Sequence, residues 1–258
     1  MSARRTMISA NIDSVREAIA RAEQAAGRAP GSVTLQVAAK HQPLENLLEA
    51  AACGITTFGH NLVPQLVEST AKLAGAGVLA THTVIGPVQS NKLRTAMDHA
   101  DRIDTVDSVK QAVRIARRQE ARIDEGLAEG PYPVLIQVNS AGADTQSGCA
   151  PEELIDIAGR IAELGLIRID GLMTIGAHTT NAADIHASFA LTRELSEQMR
   201  KLPGLEGAAE LSMGMTHDLQ IAVAEGSTLV RVGTAIFGPR RPEPGPETGS
   251  CGSPRHKS

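Results

Sequence analysis

Val33-Thr34-Leu35-Gln36-Val37-Ala38-Ala39-Lys40, followed two residues later by Pro43-Leu44-Glu45-Asn46-Leu47-Leu48-Glu49-Ala50-Ala51-Ala52-Cys53-Gly54, reads as one strand–helix unit. The first run is rich in Val, Leu and Ala and is short enough for a buried strand. In the second run Leu44, Leu47, Leu48 and Ala51 recur at helical spacing. A proline opens it and a glycine stops it, the order that helix ends prefer.

The same unit repeats outward from this stretch. A helix is expected over 11–26, with Val15, Ile19 and Ala22 on its apolar face and Gly27 ending it. Further strands are expected at 56–58, 83–85, 102–106, 134–138, 168–173, 210–213 and 229–232. Helical patterns between them are clearest at 108–121, 151–164, 184–202 and 216–224. Eight β/α units in 258 residues predict an α/β fold, a single (β/α)8 TIM-type barrel over 1–238 with an extra N-terminal helix. A doubly wound open sheet is the alternative, but its Gly-x-Gly-x-x-Gly fingerprint is absent. Residues 239–258 are Pro, Gly, Ser and charge and are expected to be a disordered tail.

Composition narrows the function classes. The chain is 42% hydrophobic but only 2% aromatic, with no Trp and one tyrosine, Tyr132, so its core must be aliphatic. Twenty-five basic residues face 29 acidic ones, a net charge of -4, which gives no general attraction to nucleic acid or an anionic membrane. Cys53, Cys149 and Cys251 match no metal or disulfide framework and are expected to be reduced thiols. Neither a membrane-spanning run nor a signal core is legible, so a cytoplasmic protein is expected.

Strand side chains alternate between faces. Val33, Leu35, Val37 and Ala39 share one parity of the first strand; Thr34, Gln36, Ala38 and Lys40 share the other. The strands at 134–138 and 229–232 repeat the arrangement. The apolar parity should face the helices and the mixed parity the barrel interior. That places Lys40, Asn139 and Arg231 toward the C-terminal ends of their strands, where barrel sites lie. Leu211-Ser212-Met213-Gly214-Met215-Thr216 and Arg231-Val232-Gly233-Thr234-Ala235 each offer glycine and hydroxyls before a helix start, in the seventh and eighth β/α loops. Those loops are the recurrent phosphate site of barrels. A lysine beside a phosphate cradle suggests Schiff-base chemistry, with an aldehyde cofactor or a phosphorylated sugar as the reactant.

Val37-Ala38-Ala39-Lys40, Phe58-Gly59-His60-Asn61, Ile85-Gly86-Pro87, Gly171-Leu172-Met173 and the two phosphate-loop motifs occur in order. Together they resemble the pyridoxal phosphate homeostasis proteins, which are related to the barrel domain of alanine racemase. The resemblance implies pyridoxal 5'-phosphate held as a Schiff base on Lys40. It implies Ser212, Gly214, Gly233 and Thr234 around the phosphate, Arg231 at the pyridine nitrogen and Asn61 near the ring. It implies a role in vitamin B6 homeostasis and amino-acid and keto-acid balance, with PLP-dependent apoenzymes and amino acids as partners. The chain departs from the family at Ala39, where Ser is usual, and at His60, where Glu is usual. It departs again at His82-Thr83-Val84 in place of Trp-His-Phe, and at Gln146 in place of Lys.

Arg231 argues for binding over turnover. A guanidinium donates and stays charged, so a pyridine nitrogen facing it must accept and stay unprotonated, which makes the ring a weaker electron sink. A racemase also needs a second base. Tyr132 lies before the fifth strand, at the far end of the barrel, leaving His60, His82 and His217 as substitutes. A PLP-dependent racemase or lyase of weak activity is the competing reading, and a Schiff-base aldolase the next. A monomer is expected, since no racemase-type dimerising domain is legible.

Overall fold

The computed structural model describes residues 3–238. The expected tail and Cys251 lie outside the described residues. Eight parallel strands close in sequence order into a barrel: β1 (Thr34–Ala38), β2 (Thr57–His60), β3 (Thr81–Val84), β4 (Arg102–Val106), β5 (Tyr132–Gln137), β6 (Ile167–Met173), β7 (Glu210–Ser212) and β8 (Leu229–Val232). β8 pairs with β1, Gln36 opposite Arg231. The helices are α1 (Ala3–Ala25), α2 (Leu44–Ala52), α3 (Val63–Gly75), α4 (Leu93–His99), α5 (Val109–Asp124), α6 (Leu154–Ala162), α7 (Ala182–Met199), α8 (Leu219–Ala224) and α9 (Thr234–Phe237).

The parity reading holds. Val37, Val230 and Val232 pack outward with Ile8, Ile12 and Leu47. Val134, Ile136 and Val138 pack outward with Ile115, Ile157 and Ile161. The interior face is polar at several levels. Gln36 is fully buried, and its Nε2 donates to Thr83 Oγ1 at 2.9 Å. Below it Arg102 donates to Asp104, with Nε at 2.6 Å, and grips Glu210 through both terminal nitrogens at 2.7 and 2.6 Å.

α9 is one turn long and cannot cover the β8–β1 seam. α1 takes that place in the helix ring, touching α8, α2 and α9. Its buried residues Ile8, Ile12, Val15, Ile19 and Ala22 recur every three or four positions, as a single apolar stripe requires. The helix begins two turns before the expected start. Asn11 is an interior position whose Nδ2 donates to the Ile236 carbonyl at 2.8 Å, tying α1 to α9. Glu23, also buried, accepts from the backbone N–H groups of Gly31 and Val33 and so shapes the entry to β1.

Candidate functional site

A cavity of about 600 Å³ opens at the C-terminal mouth of the barrel. Loops after β1, β2, β3, β6, β7 and β8 line it, and Lys40, Asn61, Arg231, Gly233 and Thr234 all reach it. β1 ends at Ala38, so Lys40 stands two residues beyond the strand rather than at its last position. The turn that presents it is pinned. Gln42 N–H donates to the Ala39 carbonyl at 3.0 Å, and His41 adopts φ 58, a left-handed conformation that His tolerates better than most side chains. From α3, Gln65 Nε2 donates to the carbonyls of Ala39 and Gln42 at 2.6 and 3.1 Å.

Arg231 forms the floor. It is buried, and three hydrogen bonds fix its guanidinium. Nη1 donates to Ser212 O at 2.6 Å and Ser212 Oγ at 2.8 Å, and Nη2 donates to Thr174 O at 2.7 Å. Nε is the nitrogen left without a bond among the described residues. Burial pushes the guanidinium down to about 10, opposed by Asp104 and Asp218, so it is still a cation at neutral pH. A buried charge needs such partners.

The phosphate-loop residues divide in two. Gly233 and Thr234 line the cavity together with Met215 and Thr216. Ser212 and Gly214 sit behind it. Ser212 is fully buried and serves Arg231. Gly214, at φ +94, turns its α-carbon against α8, where a Cβ would lie 2.4 Å from Ala222 Cβ. Its carbonyl accepts from Arg231 N–H at 2.9 Å. The freedom of this glycine serves the packing of α8 on the barrel.

Asn61 sits where the chain passes Gly86. A Cβ on Gly86 would lie 2.5 Å from the Asn61 carbonyl oxygen, so glycine there permits the approach. Asn139 does not join the cavity. Its Nδ2 donates to Ala143 O at 2.9 Å and organises the loop after β5. Gln146 reaches the Gly176 carbonyl at 2.9 Å. His60 and His82 point outward, against the helices. His60 Nε2 lies 3.0 Å from His82 Nδ1, and the His82 ring stacks on Phe58. Burial lowers both histidines, His60 to about 3. Of the three candidate second bases only His217 lines the cavity, and His178, from the loop after β6, lines it too. Tyr132 is buried with its hydroxyl on Ala100 O at 2.8 Å, away from the mouth.

That β6 loop is the part of the site sequence reasoning missed. Ile175 to Thr180 wall one side of the cavity, and the Thr174 carbonyl holds Arg231. Its only sequence signal is a run of glycine, histidine and threonines after a strand. Among the described residues no cluster of three or more His, Cys, Asp or Glu could hold a metal ion. No described helix is long and apolar enough to cross a membrane.

Residues 8–241 match the family model of the alanine racemase N-terminal domain. The chain is 40% identical over 233 residues to the pyridoxal phosphate homeostasis protein of Pseudomonas aeruginosa, covering 90% of this chain and 96% of that one. A crystal structure of an unknown protein from Bifidobacterium adolescentis superposes with a TM-score of 0.85 at 36% identity, covering 92% of this chain and 97% of that one. PipY of Synechococcus elongatus, solved with PLP bound, superposes with a TM-score of 0.75 at 32% identity over 90% of this chain and 100% of that one.

Proposed function

Because the chain belongs to the alanine racemase N-terminal domain family, and within it to the pyridoxal phosphate homeostasis proteins, we propose that its mouth cavity holds pyridoxal 5'-phosphate as a Schiff base on Lys40 and that it serves vitamin B6 homeostasis. One observation carries the residue assignment. The buried Arg231, with Nε unused, and Lys40, on a pinned turn, open into one cavity.

The residues fit the group. Lys40 would hold the cofactor aldehyde through its amine. Gly233 and Thr234, with Met215 and Thr216 beside them, receive the phosphate at the β7 and β8 loops. Arg231 Nε would serve the pyridine nitrogen, and Ser212 and Gly214 act through Arg231 by holding its guanidinium and its backbone. Asn61 closes the ring side. When bound, the cofactor supplies an electrophilic carbon that exchanges between amines; Arg231 keeps its ring a poor electron sink. The protein in this reading carries the cofactor and exchanges it with apoenzymes and amino acids, and does not turn substrate over quickly.

Borohydride reduction of protein incubated with the cofactor, followed by peptide mapping, tests the assignment. A pyridoxyl adduct on Lys40, absent from Lys40→Ala, is expected. An adduct on other lysines, or none, overturns it. Slow exchange of an amino-acid α-hydrogen for solvent deuterium is expected alongside; rapid exchange favours a racemase or lyase.

A further inference from the structure

A second cavity, of about 390 Å³, lies beside the first at the same mouth. Asn61, Ile85 and Ile175 line both, so one wall separates and joins them. Nothing in the cofactor assignment uses its other residues.

Its chemistry is mixed in sign. Gln137, at the end of β5, is 4% exposed and lines the cavity. Its Nε2 donates to Ser147 O at 3.0 Å, and its Oε1 accepts nothing among the described residues. With no protein donor, this oxygen faces the solvent of the cavity, where an occupant's N–H can take the place of water. Asp107, on the same wall, has a carboxylate with no hydrogen bond or ion pair among the described residues. Lys110 and Arg114 stand one helical turn apart on α5, so they share a face, and both line the cavity. Lys110 has no ion pair among the described residues, and Arg114 donates only to the neutral Ser90 hydroxyl. Two cations therefore face one carboxylate.

We propose that this second cavity binds a free acidic amino acid, its ammonium on Gln137 Oε1 and Asp107 and its two carboxylates on Lys110 and Arg114. The ligand's single positive and two negative charges complement the wall's. A simple anion would leave Gln137 Oε1 and Asp107 to water, and a neutral amino acid would leave one cation without a counter-charge. The site goes beyond the cofactor reading and does not depend on it, although the shared wall at Asn61 puts the two ligands side by side.

Calorimetric titration with L-glutamate of protein loaded with the cofactor and then reduced with borohydride, so that no amine can exchange at the first site, tests this, with loading followed separately by absorbance. Saturable binding is expected, weakened about tenfold or more in the exposed double variant Lys110→Ala/Arg114→Ala, whose cofactor loading should not change. Glutarate, which lacks the ammonium, and L-glutamine, which lacks a carboxylate charge, should both bind more weakly than L-glutamate. Gln137→Leu should lose the preference for L-glutamate over glutarate. Absence of saturable binding, equal binding by the double variant, or equal binding of glutarate overturns the proposal. Protein that binds L-glutamate but never takes up the cofactor supports this site and sinks only the cofactor assignment.

Discussion

Ser212 meets the Arg231 guanidinium twice, through its carbonyl oxygen at 2.6 Å and its hydroxyl at 2.8 Å. Two positions earlier on β7, Glu210 grips Arg102 through both carboxylate oxygens. One short strand thus holds two arginines inside the barrel, one at the mouth and one below it.

Removing the hydroxyl should be felt without abolishing the site. In Ser212→Ala the carbonyl bond remains and the charged-donor bond to Oγ is lost. A stability loss of about 1.5–3 kcal/mol is expected in urea unfolding, the range for hydrogen bonds to charged groups. Lys40 should still take a borohydride-trapped adduct. An unchanged unfolding midpoint would mean that the hydroxyl does not hold the guanidinium.

The lower arginine is a stronger case. Asp104 is completely buried, burial raises its carboxyl above the ordinary range, and Arg102 opposes that shift. Arg102→Met strands the carboxylate and should cost about 3–5 kcal/mol. Arg102→Met/Asp104→Leu, which removes the buried pair and leaves only the part-exposed Glu210 carboxylate to water, should recover most of that loss. A double variant no more stable than the single one would refute the pairing.

The histidine pair makes stability depend on pH. Folded, burial and its neighbour hold His60 at about 3; unfolded, it titrates near 6.5. The unfolded chain then binds more protons between those values, so stability is complete above pH 6.5 and falls as pH drops toward 3. His82, lowered mainly by its burial and partly sustained by Asp101, adds in the same direction. His60 alone contributes a slope of about 1.4 kcal/mol per pH unit in that window. Urea midpoints of the protein and of His60→Leu/His82→Phe, compared above and below the histidine range, check this. The variant's midpoint should depend less on pH, and parallel profiles would contradict the argument.

Gly86 guards Asn61. A methyl group in Gly86→Ala would lie 2.5 Å from the Asn61 carbonyl oxygen, a backbone atom that cannot rotate away. Asn61 should shift out of both cavities, and cofactor affinity should fall about tenfold, the worth of roughly one hydrogen bond to a charged or polar ligand. Equilibrium dialysis measures it. Unaltered affinity would remove Asn61 from the site.

Most of the barrel is readable in the chain because buried parallel strands need aliphatic runs, and the runs recur between glycines and prolines. Lys40 and Arg231 stand out because each is a cation at the mixed-parity end of such a run. Asn139 looked equivalent by parity, but β5 is followed by a loop whose carbonyls absorb its amide. The β6 loop was invisible because its contribution to Arg231 is a backbone carbonyl, which every residue has. His60 and His82 looked like two separate departures from a family pattern, 22 residues apart. Adjacent strands bring them into contact, so in the fold they form one buried pair. Parity also explains why they miss the cavity: both occupy the helix-facing side of strands whose other face lines the barrel.

α1 covers the β8–β1 seam, and this has a bearing on how the chain is born. During synthesis the Ile8, Ile12 and Ile19 stripe of α1 can meet α2 early, but the part of its covering surface on β8, α8 and α9 is made about two hundred residues later. Closure of the ring must wait for β8, and a nascent chain halted before residue 229 has no partner strand for β1 on that side.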